Sequence, residues 1–239
     1  MKGKNLLIKS NYGIDAPNVI RNFLLLGAGC LLLTFLSKYL RGFIVPGVWF
    51  LANGGIMIWG SKVGKVRLRD RVRNSIPWRG DETVLDVGCG RGLFLIGVAK
   101  KLATGMVIGI DIWQTADQTG NSPESTRENV RIEDVEDRVK IQDGDARKLS
   151  FVENTFDVIV SSFALHNIYH VEERRTAVRE IVRVLKPGGR LAIVDIQRTA
   201  EYVQVLKECG MTDVKRSRPN FLFVTPNYTV TAKKSDIQK

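Results

Sequence analysis

The residues best suited to chemistry lie in the segment VLDVGCGRG, at positions 84–92. Asp86 lies within an apolar stretch that has the pattern of a buried strand, and three glycines follow it. They are Gly88, Gly90 and Gly92. Because glycine has no Cβ, such a loop lets the backbone approach a ligand closely. Apolar residues then recur at helical spacing over 93–102, so the segment predicts a strand, a tight loop and a helix, with a ligand near the helix N-terminus.

Dinucleotide-binding enzymes also use glycine-rich loops, so the spacing of the glycines decides whether the chain fits that class. The third glycine of the dinucleotide pattern would fall at position 93, where the chain has Leu93. The carboxylate of Asp86 also suits a positively charged cofactor better than a pyrophosphate. The pattern, with Cys89 as a small residue in the loop, resembles the first motif of class I S-adenosylmethionine-dependent methyltransferases. The resemblance covers 83–196 in good motif order and reaches 232 with weaker signals.

This resemblance implies an α/β fold with S-adenosyl-L-methionine bound at the carboxyl ends of the strands. We expect a doubly wound, seven-stranded, mostly parallel sheet of the Rossmann-like methyltransferase type. Further strands are expected over 106–110, 139–142, 155–162 and 190–196, and helices over 123–134, 171–185 and 200–209. The KPGG run at 186–189 predicts a helix stop and a turn. Segments at 214–218 and within 221–232 are expected to close the sheet as an antiparallel hairpin.

The strand that ends at Asp111 supplies the next candidate ligands. Its carboxylate can accept two hydrogen bonds from a ribose diol, or it can cap the following turn. Ile112 follows it, and Trp113 is either an adenine-stacking residue or a core aromatic residue. The polar loop 114–121 is expected to fold over the ribose or the substrate, or to be simply solvated. Ser122, Pro123 and Glu124 then predict the start of a helix.

Two more strand ends complete the predicted cofactor site. The resemblance assigns recognition of the adenine to Asp145 and to the backbone N–H of Ala146, with Asp143 as the alternative acid. The strand that contains Ser161 is expected to approach the methionine part of the cofactor. The residues at 161–164 contain no proline, unlike the tetrad of related enzymes that methylate nucleic-acid bases, so DNA bases are not the expected substrate.

Both histidines of the chain lie within 164–170. His166 could accept a proton from the methyl acceptor, because the unperturbed pKa of histidine is close to neutrality. Alternatively it hydrogen-bonds to backbone and caps the cleft, since a strong nucleophile needs positioning more than it needs a base. His170 is expected on the surface.

Two apolar runs, 23–36 and 43–59, lie close together before the glycine loop. They predict a hydrophobic helical hairpin that associates with a membrane through residues 20–60. Alternating cations between Lys62 and Arg73 suit an anionic lipid surface. Core helices of the globular domain or a homodimer interface are the alternatives. In the helix predicted over 63–76, apolar residues at four-residue spacing suggest packing on the sheet across the cofactor cleft, or else the helix is a solvated linker.

The sequence is thus divided into a hairpin (1–62), a basic connecting helix (63–80), a cofactor-binding domain (81–234) and a tail (235–239). Residues 1–76 hold twelve Lys or Arg and two Asp, which accounts for most of the net charge of +11. The rest of the chain is nearly neutral, so the basic composition does not indicate a nucleic-acid partner. Three widely separated cysteines predict neither a disulfide nor a metal site.

The resemblance implies displacement at the sulfonium methyl by an O, N, C or S atom, with S-adenosylhomocysteine as product. The hairpin favours a lipophilic acceptor, such as a quinone precursor, a lipid head group or an isoprenoid. It also favours a membrane-associated protein whose catalytic domain is cytoplasmic. The alternatives are a soluble small-molecule methyltransferase with the hairpin as dimer interface, and a non-catalytic cofactor-binding partner of a membrane protein. An RNA methyltransferase suits the near-neutral domain less well, and the oligomeric state is left open.

Overall fold

The computed structural model describes residues 10–114, 120–223 and 225–236. Within them a seven-stranded sheet is flanked by helices and preceded by a helical hairpin. The strands are β1 (Thr83–Val87), β2 (Met106–Asp111), β3 (Val139–Asp143), β4 (Phe156–Ser162), β5 (Leu185–Asp195), β6 (Thr212–Arg216) and β7 (Tyr228–Lys233). The helices are α1 (Pro17–Leu36), α2 (Ile44–Trp59), α3 (Lys65–Ser75), α4 (Leu93–Ala99), α5 (Pro123–Ile132), α6 (Val171–Val184) and α7 (Thr199–Glu208).

The sheet has the strand order β3-β2-β1-β4-β5-β7-β6. The first five strands in this order pair in parallel, and β7 runs antiparallel to both β5 and β6. The predicted doubly wound, mostly parallel fold is therefore confirmed. The chain order reverses between β1 and β4, and ligands of open α/β sheets bind outside the carboxyl ends of strands at such a point.

Strand β1 shows why these residues form the centre of the sheet. Leu85 and Val87 belong to the core on one face, whereas Val84 belongs to the core on the other. Side chains alternate between faces along a strand, so both layers of helices are anchored by the same five residues. Burying an apolar side chain of this size contributes about 1.5–3 kcal/mol.

The start of α5 is confirmed as predicted, because the Ser122 hydroxyl oxygen accepts a hydrogen bond from the Ser125 N–H at 3.2 Å and Pro123 is the first helical residue. The start of β5 differs from the prediction. Helix α6 ends at Val184 and β5 begins at Leu185, which pairs with Phe156, so the KPGG run lies within the strand. A register shift between Phe156 and Val158 accommodates these residues.

The two hairpin helices pack closely through glycines. The missing Cβ of Gly27, Gly47 and Gly54 would lie 2.7–2.8 Å from side-chain carbons of the facing helix. Their partners are Leu51, Leu31 and Leu24, respectively. These pairs run in opposite directions along the two helices, so α1 and α2 are antiparallel. Close approach at small residues is typical of helix pairs in membranes.

The outer surface of the hairpin is apolar and exposed. Pro17–Leu36 and Lys38–Ser75 are each long and apolar enough to cross a membrane, yet only 11% and 17% of their most apolar windows are buried. Many of its large apolar side chains are exposed, among them Leu25, Leu32, Phe35, Val45, Val48 and Trp49. The alternative that these helices are core helices of the globular domain is therefore wrong.

Helix α3 continues directly from α2 through a π-helical turn at Gly60–Gly64. Leu68, Val72 and Ile76 are buried in the core, so the apolar stripe predicted for this segment is confirmed and the solvated-linker alternative is wrong. The helix lies against α4, where Arg73 Nη1 donates a hydrogen bond to the Gly97 carbonyl at 3.3 Å. The base of the hairpin is thereby fixed to the sheet domain.

Candidate functional site

A cavity of about 760 Å³ lies at the carboxyl ends of β1, β2 and β4. One side is formed by the glycine loop and the strand ends, and the other by the base of the hairpin. Nine of the twelve predicted site residues line it, namely Asp86, Gly88, Cys89, Gly90, Asp111, Ile112, Asp145, Ala146 and His166. The structure therefore brings together predicted residues from four separate segments of the chain at one cavity.

The glycine loop is held in a conformation that favours glycine. Gly88, Gly90 and Gly92 have φ values of +72°, +49° and +84°. The Gly88 and Cys89 N–H groups both donate to the Ile110 carbonyl, at 2.9 and 3.0 Å. The place that a Cβ on Gly88 would occupy is taken by the Ala164 side chain. The loop is thus pre-formed, and it leaves backbone open to the cavity.

The carboxylate of Asp86 is fully buried at the end of β1. Neither of its oxygens meets a hydrogen-bond partner among the described residues. Burial, and then the negative charge of Asp111, raise its pKa to about 8; the Leu95 N–H opposes this rise but lies outside hydrogen-bond geometry. An unpaired buried carboxyl group that lines a cavity is suited to a cationic ligand, because the ligand would supply the missing charge.

Asp111 already accepts three hydrogen bonds. Its Oδ2 accepts from the Gly90 N–H at 2.8 Å, and its Oδ1 accepts from the Trp113 N–H at 2.7 Å and from Asn121 Nδ2 at 3.3 Å. The carboxylate therefore ties β2 to the glycine loop and caps the turn after the strand. A ribose diol would add to these bonds, since a carboxylate offers about four lone-pair sites. Asn121 is the last residue of the polar loop that was expected over the ribose or the substrate, but the sequence did not single it out as a partner of Asp111.

Asp145 lines the cavity, whereas its alternative Asp143 does not. The carboxylate of Asp145 pairs with Arg147 at 2.6 Å, and this hydrogen-bonded guanidinium lowers the pKa of Asp145. Arg147 also contacts Glu173, so the pair is part of a small charged network at the rim. Asp143 instead accepts a hydrogen bond from Trp113 Nε1 at 2.7 Å.

Three predicted cofactor residues lie outside the cavity wall. Trp113 has a φ of +58° and packs against the core, which agrees with the alternative of a core aromatic residue. Ser161 is buried, and its hydroxyl donates to the Val87 carbonyl at 2.8 Å, so Ser162 lines the cavity in its place. Gly92 is the N-cap residue of α4. Of the predicted polar loop, residues 115–119 lie outside the described residues, and Gln114 and Asn121 line the cavity.

His166 is held by Asp195, a residue that the sequence-based prediction missed. The backbone N–H of His166 donates to Asp195 Oδ2 at 3.1 Å, and the ring atom Nδ1 of His166 lies 2.6 Å from Asp195 Oδ1. The two side chains do not meet hydrogen-bond geometry, so this is a close contact rather than a linear hydrogen bond. Asp195 ends β5 just as Asp111 ends β2, and an acidic residue at the end of a predicted parallel strand was the available signal.

Tyr202 completes this buried group. Its hydroxyl donates to Asp195 Oδ2 at 2.9 Å, and burial followed by the charge of Asp195 raises the pKa of the Tyr202 hydroxyl. The carboxylate of Asp195 is therefore fixed from several directions, and it fixes the orientation of the His166 ring. This arrangement leaves Nε2 of His166 as the ring nitrogen that does not face Asp195.

The base of the hairpin contributes wall residues that the sequence did not predict, namely Asp15, Ala16, Met57 and Lys65. The Lys65 ammonium is buried and donates to Tyr12 O, Gly13 O and Asp15 Oδ2 at 2.8–3.0 Å. These bonds tie the segment before α1 to α3. The base of the hairpin and the glycine loop thus enclose the same cavity.

Comparison with known proteins agrees with this geometry. Residues 85–193 match a family model described as "Methyltransferase domain". Over 129 residues the chain is 36% identical to 27-O-demethylrifamycin SV methyltransferase of Amycolatopsis mediterranei, covering 54% of this chain and 44% of that protein. Over 113 residues it is 38% identical to demethylmenaquinone methyltransferase of Lactiplantibacillus plantarum, covering 47% of this chain and 44% of that protein. The chain therefore spans less than half the length of these relatives.

A solved structure supports the fold independently. The crystal structure of a putative S-adenosylmethionine-dependent methyltransferase from Methanococcus maripaludis superposes with a TM-score of 0.58 at 20% identity, covering 78% of this chain and 94% of that one. The chain thus shares the fold of a solved structure described as a putative S-adenosylmethionine-dependent methyltransferase. Residues 85–193 match the methyltransferase domain model, and the match and the fold indicate S-adenosylmethionine as the cofactor. The unpaired Asp86 carboxyl group and the glycine loop fit a cationic nucleoside.

Proposed function

We propose that the protein is an S-adenosylmethionine-dependent methyltransferase that acts on a lipophilic small molecule at a membrane. The observation that carries this proposal is that the glycine loop, two strand-end carboxyl groups and the base of an exposed apolar hairpin line one cavity. The relatives support a small-molecule acceptor, since one is named for a rifamycin and another for demethylmenaquinone. When bound, the cofactor supplies an electrophilic methyl group.

The glycine loop and the strand ends would hold the cofactor. Asp86 would face its positive charge, Asp111 would accept from the ribose hydroxyl groups, and Asp145 with the Ala146 N–H would bind the adenine. All of them line the cavity. A carboxylate that already accepts backbone hydrogen bonds needs little reorganisation when a ligand arrives, which favours binding.

His166 would accept the proton of the acceptor through Nε2. Its side chain is 18% exposed and that of Asp195 is fully buried, so the base can reach a ligand while its partner stays out of water. A base is useful only where the nucleophile has a proton to lose, which favours a hydroxyl-bearing acceptor over an amine that is already nucleophilic. Asp195 would position the ring and stabilise its charged form.

The hairpin would attach the domain to the bilayer. Helix α1 has 20 residues, which corresponds to about 30 Å and matches the hydrocarbon thickness of a bilayer. Lys62, Arg67 and Arg71 are exposed at the base of the hairpin, where they could contact anionic head groups. A second copy of the chain is the other way to cover this apolar surface.

Three experiments test the proposal. Calorimetry with S-adenosylmethionine and S-adenosylhomocysteine should show binding of both, and absence of both would remove the enzyme assignment. Labelled cofactor should then transfer its methyl group to a component of a fractionated lipid extract. Protein that sediments with membranes should be released by detergent and not by high salt. A dimer that stays soluble without detergent would instead support the second-copy alternative.

A variant pair tests the base. His166→Gln and Asp195→Asn should each lower kcat for the identified acceptor, by about 100-fold for the histidine because a general base typically contributes 10²–10⁴. The affinity for S-adenosylmethionine, measured by calorimetry, should stay close to that of the wild type. An unchanged kcat for His166→Gln would leave the residue as a cap of the cleft.

A further inference from the structure

We propose that the end of the cavity nearest the hairpin is the acceptor subsite, and that it takes an apolar, ring-bearing molecule that arrives from the membrane. This inference rests on the proposed function and specifies where the acceptor binds. The cavity has two chemically different ends. Asp86, Asp111 and Asp145 line the cofactor end. The part next to the hairpin is lined by Met57, Phe163 and Phe223, together with Asp15 and Lys65, which pair with each other.

Two aromatic rings give this subsite a flat apolar wall. Phe163 and Phe223 are stacked, with ring centroids 4.7 Å apart and planes inclined by 29°. Phe163 has a φ of +54°, a conformation that costs a bulky residue about 1 kcal/mol or more and that concentrates at ligand sites. Phe163 directly precedes Ala164, which packs against Gly88. The aromatic pair therefore lies next to the loop that is suited to the cofactor.

A continuous line of contacts joins this wall to the hairpin. The backbone of Leu222, which precedes Phe223, fills the space where Gly64 would carry a side chain. Gly64 ends the π-helical turn between α2 and α3, and such turns are frequent at functional sites. Met57 on α2 is buried at 8% exposure and faces the cavity. Its neighbour Ile56 is 54% exposed, so a single helix separates the cavity from the apolar outer surface.

The charged side chains around the base of the hairpin indicate how deep in the membrane the subsite would lie. The Arg67 guanidinium lies 5.6 Å from the ring centroid of Trp59, and both side chains are exposed. Tryptophan and cationic side chains together are typical of the membrane–water interface. A molecule with its tail in the bilayer and a hydroxyl-bearing ring at the interface would bring that ring to Phe163 and Phe223, and its hydroxyl towards His166.

The probe for this subsite is a prenylated hydroquinone that bears a diazirine, added to full-length protein in vesicles of phosphatidylcholine and phosphatidylglycerol. After illumination, peptide mapping should find adducts at Met57, Phe163 or Phe223. Adducts confined to outward-facing residues such as Leu25 and Ile56 would overturn the inference. Labelling needs no turnover, so its outcome is separate from calorimetric binding of S-adenosylmethionine, on which the proposed function depends.

Variants sharpen the test. Met57→Trp should fill the subsite and reduce labelling of Phe223 by about tenfold, equivalent to ~1.4 kcal/mol. Gly64→Ala should displace the Leu222 backbone and also reduce labelling, whereas Gly55→Ala, which has nothing within 4 Å of the added methyl group, should leave it unchanged. Equal labelling in the wild type, Met57→Trp and Gly64→Ala would overturn the inference.

Discussion

The hairpin surface and the interior of the sheet domain are built from similar apolar residues but differ in what covers them. In the domain, Val84, Leu85 and Val87 are each at most 1% exposed, with helices on both faces. In the hairpin, Leu25 and Leu32 are 64% and 66% exposed, and glycines hold α1 and α2 together from within. The comparison teaches that apolar content alone does not identify a core, because the partner of an apolar face can be lipid.

The largest expected effect tests that difference directly. Replacing Leu25 and Leu32 together by lysine should disfavour membrane insertion by about 3 kcal/mol per residue if both lie at hydrocarbon depth. Vesicle flotation would measure the change. Val152→Lys is the matched control, because Val152 is 77% exposed on the sheet domain and should contribute nothing to insertion. Equal flotation of all three proteins would show that lipid does not cover the hairpin.

The next largest effect concerns a buried polar group of the sheet domain, which needs hydrogen-bond partners. Asp111→Ala removes the acceptor of three hydrogen bonds as well as the predicted ribose ligand. We expect a loss of about 2–3 kcal/mol in S-adenosylmethionine binding, equivalent to roughly 30–150-fold in Kd by calorimetry. Asp143→Ala should bind nearly as well as the wild type, since Asp143 lies outside the cavity. If the two variants bound equally, the assignment of Asp111 would be wrong.

Two adjacent glycines allow a position in the close interface of α1 and α2 to be compared with an exposed position on the same helix. A methyl group on Gly54 would meet Leu24 at 2.8 Å, whereas one on Gly55 would meet nothing within 4 Å. Gly54→Ala should lower the stability of the hairpin by about 1–2 kcal/mol through overpacking. Gly55→Ala should be neutral or slightly stabilising, by about 0.5–1 kcal/mol, through helix propensity. Thermal unfolding in micelles compares them, and identical midpoints would contradict the observed interface.

The last expected effect is a pH dependence of the buried site. Because the pKa of Asp86 is raised to about 8 from 3.8, the folded cofactor-free protein binds a proton in this range that the unfolded chain has released. Stability should therefore fall as the pH rises from about 4 to about 8, by at most ~1.4 kcal/mol per pH unit. Urea unfolding should show this slope, and Asp86→Asn should abolish it. A slope that persists in the variant would assign it to another group.

The titration of Asp86 also predicts that the affinity for the cofactor depends on pH. A cationic ligand favours the ionised carboxylate, so S-adenosylmethionine should bind more tightly as the pH approaches 8 and should release a proton on binding below that value. Calorimetry in two buffers of different ionisation enthalpy measures that proton. Asp86→Asn should release none, which provides the internal control.

Local sequence signals predicted much of the fold because they reflect short-range physics. An apolar run marked β1, a serine followed by a proline marked the start of α5, and glycine spacing marked the loop that now lines the cavity. The start of β5 was misplaced, since the KPGG run has the composition of a turn while pairing of Leu185 with Phe156 keeps it in the sheet. Strand pairing is a long-range interaction that a local pattern does not contain.

The residues of the candidate site likewise divide into those that local sequence predicted and those that only long-range contacts brought together. The sequence by itself determined the acids at 86 and 111, the glycine loop and the presence of two apolar helices, because each is a property of neighbouring residues. The exposure of those helices came from the structure. Only the tertiary structure brought Asp195 to His166, Asn121 to Asp111 and Met57 to the cavity, and turned Ser161 away from it. Those contacts join residues far apart in the chain, so they depend on how the sheet, the loop after β2 and the hairpin pack together.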